Sequence, residues 1–540
     1  MMTKFVSVLR KPDAVYGATE QSPFRFEEKA SATNDVKYEY VVGENSAKVI
    51  VYPSGSPVKF LKLRFNGDMR HVESVMGDQW ERCGVDYTIE WRSVCAGRVL
   101  PWFCYAKAKN GIACYGVKTG PDAFVSWQID PHGVTLFINL LSGNNGTDLL
   151  EPIVACEVVQ HESLEGEDAF FVAKRFAKIM CDNPVLPSEP IFGVNNWYWA
   201  YGKISRESVK QETEQIVRLC DGVKNRPYMI IDDGWQINRT FGKGAYIGGP
   251  WLPNSKFGSM QETVEDIHFR GAKAGLWFRP LLRIGDIPED AKHEVTAGGV
   301  TLDITHPYTL EQVERDAKAI RDWGFDLIKH DFTTFDILGW GTITPNFIND
   351  KLTNSNRVCY DKTITMATAI KNLYRAIQRG AGKADVIGCN TISHLTAGIH
   401  SCYRTGGDTS GRSFEWTRSN GINSMMRLPL NENFYLVDPD CACFTERVDT
   451  TLNLDFLEMC ALTGVTTLAS ITPNILTSKE EQRINDIYKI ADKNTSRYSI
   501  KDYDKNSNPE IFVSNDGKTE KEYNWESAYD GARNIISWLN

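Results

Sequence analysis

The sequence predicts an α/β protein in which an N-terminal antiparallel β-sandwich domain precedes a (β/α)8 TIM barrel. From about residue 36 to 175, short β-rich runs are separated by Gly, Asn, Asp and Pro, which is typical of an antiparallel sandwich. From about residue 190 onward, strand-like runs alternate eight times with helical runs. No GxGxxG motif follows the first of these strands, which favours a closed barrel over an open doubly wound sheet.

A proline-rich stretch marks the boundary between these two regions. Residues 181–193, CDNPVLPSEPIFG, contain three prolines and show neither helical nor strand periodicity. We therefore expect a sandwich domain over residues 1–185 and a catalytic barrel over residues 190–495. The C-terminal extension, residues 496–540, is polar apart from an apolar patch, IISWL, and no structure is predicted for it.

The eight predicted barrel strands are short apolar runs that end in polar residues. Between them lie longer runs in which apolar residues recur every three or four positions, as on the buried face of an amphipathic helix. The strand runs are, in order, IFGVNNW, PYMIIDD, AGLWFRP, FDLIKHD, DVIGCN, HSCYRT, NFYLVD and VTTLAS. The clearest helical runs are SRESVKQETEQIVRLC, LEQVERDAKAIRDWG, TITMATAIKNLYRAIQRG, LDFLEMCALTG and SKEEQRINDIYKIADK.

Composition and charge exclude several classes of function. A chain of 540 residues, 42% of them hydrophobic, is too long for a single core, so at least two packed domains are expected. The net charge of −9 is spread along the chain without a basic stripe, so no nucleic acid partner is expected. No run approaches the roughly 18 apolar residues of a membrane span, so no association with a membrane is expected.

The N-terminus and the cysteines favour a cytoplasmic protein. The segment MMTKFVSVLRKPDAVYG has too short an apolar stretch for a signal peptide, although a leader trimmed from a periplasmic protein would leave the same sequence. The thirteen cysteines show no CxxC or Cys/His metal spacing, and the closest pair, Cys441 and Cys443, forms a CxC. We expect reduced thiols and no bound metal.

Acidic and amide side chains follow five of the eight predicted strands. A single Asp at such a position is usually a turn former or a helix N-cap. In a barrel, however, the carboxyl ends of all strands meet on one face, where the loops form the active site. The polar residues at these strand ends are Asp232 and Asp233, Lys329 and Asp331, Asn390, Arg404 and Asp408, and Asp438 and Asp440. Their recurrence predicts a polar site on this rim.

Cleavage of a glycosidic bond is the chemistry that needs such a rim. It uses one carboxyl group to attack the anomeric carbon or activate water, and a second to protonate the leaving oxygen. Asp331 and Asp408 are the candidates for these roles. Lys329 lies two residues before Asp331 on the same face of the strand, where a cation would stabilise the carboxylate. Arg404 precedes Asp408 across a Gly-Gly turn that lets a ligand approach the backbone.

These residues belong to ordered motifs that resemble the melibiase-type α-galactosidases of glycoside hydrolase families 27 and 36. The likeness extends over residues 190 to 475 or so. The matching segments are GVNNW (193–197), DDGW (232–235), GLWF (275–278), LDITHP (302–307), KHD (329–331), CN (389–390), RTGGD (404–408) and VDPD (437–440). A single motif of this length is weak, but several in the same order are specific. An N-terminal β-rich domain is a feature of family 36.

The resemblance implies a role for each of these positions. Asp331 would be the nucleophile and Asp408 the acid/base. The substrate-binding residues would be Trp197, Asp232, Asp233, Trp235, Arg279, Lys329, Asn390, Arg404 and Asp440. The two aspartates of DDGW correspond to the pair that binds the 4- and 6-hydroxyls of galactose. Two positions depart from the pattern, because Arg279 stands where family 36 has Glu before Pro and Asn390 stands where family 27 has Glu.

The resemblance implies a retaining α-glycosidase of the α-galactosidase type that acts by double displacement through a covalent glycosyl-enzyme. Its two carboxyl groups should lie about 5 to 6 Å apart. The implied partner is a carbohydrate substrate, an α-galactoside, and no metal or organic cofactor is needed. Homo-oligomer formation is left open.

Three alternatives to an α-galactosidase stay open. One is a galactosyl transglycosylase of the raffinose synthase kind, which would use the same residues with a different acceptor. Another is a different glycone, as in an α-N-acetylgalactosaminidase or a β-L-arabinopyranosidase. The non-enzymatic alternative is a catalytically inactive carbohydrate-binding barrel. Trp80, Trp102 and Trp340 are further candidates for sugar platforms, although large enzymes also carry many tryptophans in their cores.

Overall fold

The structure is a computed structural model that describes residues 5–22, 35–81, 89–94, 98–237, 248–296, 298–339, 352, 358–493, 497–505, 508–523 and 525. Within these residues the chain forms two antiparallel sheets, then a parallel barrel, and finally a small antiparallel sheet. This order confirms the predicted architecture of a β-sandwich followed by a (β/α)8 barrel.

The N-terminal region packs two antiparallel sheets around a shared hydrophobic core. The first sheet contains, in spatial order, Ala14–Thr19, Val58–Asn66, Gly133–Asn139, Phe124–Asp130 and Leu100–Pro101. The second contains Tyr38–Val42, Ser46–Val51, Ile153–Glu162, Gly111–Val117, Phe103–Ala108, Val72–Gly77 and Arg92–Ser93. A short hairpin of Leu141–Ser142 and Asn145–Gly146 follows the strand Gly133–Asn139 and precedes the strand Ile153–Glu162 in the chain.

The strand Val58–Asn66 shows why this region forms a sandwich. Leu61 and Leu63 are fully buried, whereas Lys62 between them is partly exposed. Successive side chains of a strand point to opposite faces of its sheet. The alternation therefore turns one face of this strand into the shared core and leaves its other face partly exposed.

The helix Ala169–Met180 at the end of this region is absent from the sequence-based prediction. It begins after Asp168, whose side chain accepts a hydrogen bond from the Phe170 backbone nitrogen as an N-cap. The helix packs against the strand Gly111–Val117 of the second sheet. Residues 181–191 then lead to the first barrel strand.

The eight barrel strands coincide with the eight runs predicted from the sequence, and neighbouring strands pair in parallel. Their side chains are almost all buried, because the strands of a barrel are packed inside and covered by helices outside. The strands, here called strands 1 to 8, are Phe192–Asn195, Tyr228–Ile231, Lys273–Phe278, Leu327–His330, Asp385–Gly388, Cys402–Arg404, Leu436–Asp438 and Thr467–Ile471.

The barrel closes through an interruption after strand 7. Leu436–Asp438 pairs with strand 6, whereas the next segment, Cys441–Phe444, pairs in parallel with strand 8. Strand 8 also pairs with strand 1, so the sheet returns to its start. Asp440 lies at the interruption with a φ of 69°, a left-handed conformation that redirects the chain from one partner strand to the other.

Helices connect and surround the strands, and each of the five clearest predicted helical runs forms a helix. The helices of this region are Trp197–Ala200, Arg206–Leu219, Met260–Phe269, Pro307–Asp322, Thr333–Leu338, Met366–Ala381, Ser393–Thr396, Phe414–Met426, Thr450–Thr463 and Ser478–Ala491, with short 3-10 helices at Glu289–Ala291 and Leu428–Leu430. After strand 3, a small antiparallel sheet is inserted, consisting of Leu282–Arg283, Lys292–Thr296 and Gly299–Leu302.

The end of the described chain forms a three-stranded antiparallel sheet of Tyr498–Ile500, Ile511–Ser514 and Glu520–Glu522. The apolar patch IISWL lies outside the described residues. The eleven cysteines that the structure describes are buried free thiols. Among the helices of the described ranges, none is long and apolar enough to cross a bilayer.

Candidate active site

Strained backbone conformations mark the carboxyl ends of five barrel strands. The residues that follow strands 1, 4, 5, 7 and 8 with φ angles of 45°, 64°, 53°, 69° and 61° are Tyr201, Phe332, Asn390, Asp440 and Asn474. A left-handed conformation is unfavourable for residues other than glycine and costs about 1 to 3 kcal/mol. Because such residues persist mainly where the surroundings hold them, and cluster at active sites, they identify this rim as the candidate active site.

A buried ion pair lies at the base of this rim. Lys329 Nζ donates to Asp232 Oδ2 at 2.7 Å, and Asn195 Nδ2 donates to the same oxygen at 2.8 Å. Burial lowers the pKa of Lys329, but the negative charges of Asp232 and Asp440 outweigh this effect and hold the pKa above its ordinary value. Lys329 is therefore a fixed cation beneath the rim.

Asp331 is half-buried at the end of strand 4, where two donors orient its carboxylate. Trp277 Nε1 donates to Oδ2 at 3.2 Å, and the Phe332 backbone nitrogen donates to Oδ1 at 2.7 Å. The sequence predicts that Lys329 lies beside this carboxylate, but in the structure the ammonium group bonds to Asp232, which directly follows strand 2. The expected direct support of Asp331 by Lys329 is thus replaced by the Trp277 indole and a backbone N–H.

Asp233 is held by a residue that the motif comparison does not include. Gln236 Nε2 donates to Asp233 Oδ1 at 2.6 Å, and Gln236 Oε1 accepts from the Gly234 backbone nitrogen at 3.0 Å. The Asp232 backbone nitrogen donates to Asn196 Oδ1 at 3.0 Å. Both aspartates are almost fully buried, so these bonds fix the turn after strand 2.

Arg404 bridges two carboxylates at the ends of strands 6 and 7. Its Nη2 donates to Asp408 Oδ1 at 2.6 Å, and its Nη1 lies 3.0 Å from Asp440 Oδ2. The guanidinium is buried, whereas the Asp408 side chain is 56% exposed. The Tyr198 hydroxyl and the Thr409 backbone nitrogen also bond to Asp440 Oδ2. Asp440 therefore anchors Arg404, and Arg404 in turn orients the exposed Asp408.

Gly406 allows the turn that carries Asp408. Its φ is 67°, and a Cβ atom there would lie 1.8 Å from Asn420 Oδ1, so a side chain does not fit without rearrangement. Asn420 Nδ2 also donates to the Pro439 carbonyl oxygen at 2.7 Å. Asn420 therefore ties the turn after strand 6 to the interruption after strand 7.

Arg279, one of the predicted substrate-binding residues, pairs with a buried carboxylate. Its Nε and Nη2 donate to the two carboxylate oxygens of Asp336 at 2.9 and 2.5 Å. The Arg279 guanidinium also lies 4.3 Å from the centre of the Phe332 ring. The Arg279 side chain is only 7% exposed, so the guanidinium is packed between the Asp336 carboxylate and the Phe332 ring.

Two tryptophans of the matching motifs have different environments. Trp197 is half-buried after strand 1, and its ring meets the Tyr201 ring at a centroid distance of 5.6 Å. Trp235 is fully buried, and its Nε1 donates to the Trp277 carbonyl oxygen at 2.8 Å. Trp197 lies partly exposed after strand 1, whereas the Trp235 ring, which was also predicted to bind substrate, has no exposed surface.

The sandwich domain contacts this rim through a residue without a recognisable motif. Trp80 and Trp102 are both buried and pack edge to face, so they are core residues rather than sugar platforms. Trp340 lies outside the described residues. Instead, Glu81 Oε1 accepts a hydrogen bond from Asn390 Nδ2 at 2.7 Å. A contact between domains leaves no local pattern in the sequence, which is why the sequence does not indicate Glu81.

Two buried histidines lie behind Asp331. The Nε2 atoms of His330 and His400 are 3.3 Å apart. Burial lowers the pKa of His330 to about 3 and holds the pKa of His400 well below its usual value, so both rings are neutral. Among the described residues, no group of three or more His, Cys, Asp or Glu side chains is arranged to hold a metal ion.

Several solved structures that are similar to this fold are α-galactosidases. An α-galactosidase from Thermus thermophilus, solved with p-nitrophenyl α-D-galactopyranoside, has a TM-score of 0.61 and 16% identity, covering 90% of this chain and 95% of that chain. A family 36 α-galactosidase from Geobacillus stearothermophilus, solved with 1-deoxygalactonojirimycin, has a TM-score of 0.58 and 14% identity. The match covers 89% of this chain and 71% of that chain. This chain shares its fold with these α-galactosidases.

Sequence comparison with curated proteins also leads to α-galactosidases. Alpha-galactosidase 2 of Arabidopsis thaliana is 26% identical over 161 residues, which cover 30% of this chain and 35% of that protein. An α-galactosidase of Oryza sativa subsp. japonica is 24% identical over 144 residues, which cover 26% of this chain and 29% of that protein. The chain thus matches about a third of the length of these relatives. No family model matches the chain.

Proposed function

We propose that this chain is a retaining α-galactosidase that hydrolyses terminal α-galactosides by double displacement. The observation that carries the proposal is the placement of Asp331 and Asp408 on one rim, at the ends of strands 4 and 6, above the buried ion pair of Lys329 and Asp232. The family 36 fold and the names of the matched relatives support the same activity.

The surroundings of the two carboxylates suit different steps of the reaction. Asp331 is half-buried and oriented by the Trp277 indole. A nucleophile must be held in this way to attack the anomeric carbon of a bound sugar. As its oxygen bonds to that carbon, the bond to the departing oxygen breaks and Asp408 supplies the proton. Water then attacks the glycosyl-enzyme, gives its proton to Asp408 and releases Asp331, so the anomeric configuration is retained.

The buried aspartates of the second strand end support a galactoside as the substrate. Asp232 is oriented by Lys329 and Asp233 by Gln236, so both carboxylates are held in fixed directions where the hydroxyls of a galactoside would bind. A glucoside places its 4-hydroxyl on the other side of the ring and would leave a buried carboxylate without that donor. Binding of the wrong sugar would leave buried polar groups of the site unpaired, and this free-energy cost lets the site discriminate against that sugar.

A panel of p-nitrophenyl glycosides tests this proposal. We expect the highest kcat/KM with the α-galactoside, and much lower values with the α-glucoside, the α-N-acetylgalactosaminide and the β-L-arabinopyranoside. A higher kcat/KM with one of the other three would assign a different glycone. If the chain binds galactosides but turns over none of the four substrates, it is an inactive carbohydrate-binding barrel and the proposal is wrong.

A further inference from the structure

A carboxylate of the sandwich domain contacts residues of the candidate active site. The segment after the strand Val72–Gly77 carries Glu81, which is 2% exposed. Glu81 Oε1 accepts a hydrogen bond from Asn390 Nδ2 at 2.7 Å. It also lies 3.3 Å from Thr334 Oγ1, whose hydroxyl donates to the Asn390 carbonyl oxygen. One carboxylate oxygen of Glu81 therefore contacts residues that follow barrel strands 4 and 5.

Asn390 is the hub between Glu81 and the turn that carries Asp331. Its backbone carbonyl oxygen accepts from Thr333 Oγ1 at 2.6 Å and from the Thr334 backbone nitrogen at 3.1 Å. Its Oδ1 accepts from the Phe332 backbone nitrogen at 3.3 Å. Asn390 thus contacts the three consecutive residues that follow Asp331 in the chain.

The same Phe332 backbone nitrogen orients Asp331. It donates to Asp331 Oδ1 at 2.7 Å, so the place of the carboxylate depends on the conformation of Phe332. That conformation is left-handed, with a φ of 64°, and its cost must be offset by the surroundings. Through Asn390, Glu81 supplies part of the bonding that holds this turn.

The segment that carries Glu81 is itself firmly docked on the barrel. Arg427 Nη2 donates to the Glu81 backbone oxygen at 2.8 Å, and Arg427 Nε donates to Asp78 Oδ1 at 2.8 Å. Ser393 Oγ donates to Asp78 Oδ2 at 3.1 Å. Because these side chains are all buried, the Glu81 carboxylate has a fixed point of attachment.

We propose that Glu81 is a positioning residue for the nucleophile, so that the sandwich domain belongs to the reaction machinery. Glu81 acts through Asn390, which holds Phe332 in the strained conformation that presents its N–H to Asp331. The proposal rests on the proposed function, in which Asp331 attacks the anomeric carbon. Misplacement of a reacting group by about 1 Å costs on the order of 10²-fold in rate, which sets the size of the expected effect.

Two substitutions of Glu81 test the proposal on p-nitrophenyl α-galactoside. Glu81→Asp keeps the charge but withdraws the carboxylate by one methylene, so kcat should fall by about 10²-fold while KM and the inhibition constant of galactose stay nearly unchanged. Glu81→Gln keeps an acceptor oxygen within reach of Asn390 Nδ2, so kcat should stay within about tenfold of the wild-type value. This rescue would not be expected if only the charge of Glu81 mattered.

A matched control removes another contact between the sandwich and the barrel. Asp122 Oδ1 accepts from Lys371 Nζ at 2.5 Å and from Thr368 Oγ1 at 2.8 Å, on the helix Met366–Ala381 rather than on the turn after strand 4. Asp122→Ala should lower Tm and leave kcat unchanged.

The outcomes separate this inference from the proposed function. If Glu81→Asp lowers Tm as Asp122→Ala does but keeps the wild-type kcat, the positioning role is wrong although the enzyme is an α-galactosidase. If kcat falls in Glu81→Asp together with a large rise in KM, Glu81 affects binding rather than the position of the nucleophile, and the inference is again wrong. If the wild-type chain turns over no galactoside, the proposed function fails first and the inference fails with it.

Discussion

Lys329 Nζ bonds to Asp232 Oδ2 at 2.7 Å, and both side chains are nearly inaccessible to solvent. The spacing of Lys329 and Asp331 in the sequence predicts that they share a face of strand 4, but it does not show which carboxylate the long lysine side chain reaches. Asp232, which directly follows strand 2, is buried and needs a cation more than the half-buried Asp331, which has Trp277 as a donor. The pair therefore connects strands 2 and 4 beneath the site.

The first prediction concerns this pair. Lys329→Met leaves the Asp232 carboxylate buried without its cation, and loss of one partner of a buried pair costs about 3 to 5 kcal/mol of stability. Lys329→Met combined with Asp232→Asn should recover part of that loss, since no unpaired charge remains. Thermal unfolding of the single and double variants measures the coupling. Strictly additive changes in stability would show that the two side chains do not interact.

The second prediction concerns recognition of the galactose 4-hydroxyl. Asp233→Ala should lower kcat/KM for the α-galactoside by about 10- to 100-fold, the usual effect of losing a hydrogen bond to a charged group. The already low value for the α-glucoside should change little, so the ratio between the two substrates should narrow. Initial rates on both nitrophenyl glycosides give this ratio. An unchanged ratio would mean that Asp233 does not distinguish the two epimers.

The third prediction concerns the acid/base role of Asp408. Asp408→Ala should lower kcat by about 10²- to 10⁴-fold on substrates with poor leaving groups, because the departing oxygen then leaves without a proton. Activated aryl galactosides should lose much less in their first step. Added azide should attack the glycosyl-enzyme from the face that the leaving group vacated and yield α-galactosyl azide. Equal losses on good and poor leaving groups would assign the proton transfer to another residue.

A buried carboxyl group on the helix after strand 1 should make the stability of the chain depend on pH. Glu212 on the helix Arg206–Leu219 accepts a hydrogen bond from Trp199 Nε1 at 3.1 Å. Burial raises the pKa of Glu212 to about 8, although hydrogen bonds from Trp199 and Asn196 oppose this shift. The folded chain therefore keeps Glu212 protonated over a pH range in which the unfolded chain has lost that proton.

The fourth prediction follows from this difference. The stability that the raised pKa of Glu212 contributes is fully present below the pKa of this group in the unfolded chain, near 4.5. It is lost as pH rises to about 8, the pKa in the folded chain. The loss is at most about 1.4 kcal/mol for each pH unit. Glu212→Gln stays neutral, so its Tm relative to the wild-type Tm should rise steadily between pH 5 and pH 8. A Tm difference that is independent of pH would show that Glu212 is ionised in the folded chain.

The barrel was accessible to sequence reasoning because its strands are short, continuous apolar runs that end in polar residues. The helix Phe414–Met426 was not, because most of its residues are buried and Asn420 and Asn423 lie among them, so no polar face alternates with an apolar one. The sequence also shows no sign that Trp235 fills the core, since the same DDGW motif would expose or bury the ring according to its packing.

The individual side-chain partners were the least predictable part of the site. Arg279 departs from the family pattern, and its partner Asp336 lies 57 positions away along the chain. Glu81 and Asn390 are 309 positions apart and belong to different regions of the fold. Local periodicity and motif spacing describe neighbours along the chain, whereas these contacts arise only when strands and domains pack.

The stereochemistry of galactoside hydrolysis tests the central claim most directly. Proton NMR can follow the wild-type chain on p-nitrophenyl α-galactoside from the first minutes, with Asp331→Asn as the inactive control. Double displacement through Asp331 predicts that α-galactose appears first and that β-galactose forms only later, by mutarotation. If β-galactose appears first, water attacks the substrate directly, and Asp331 is not a nucleophile that forms a glycosyl-enzyme.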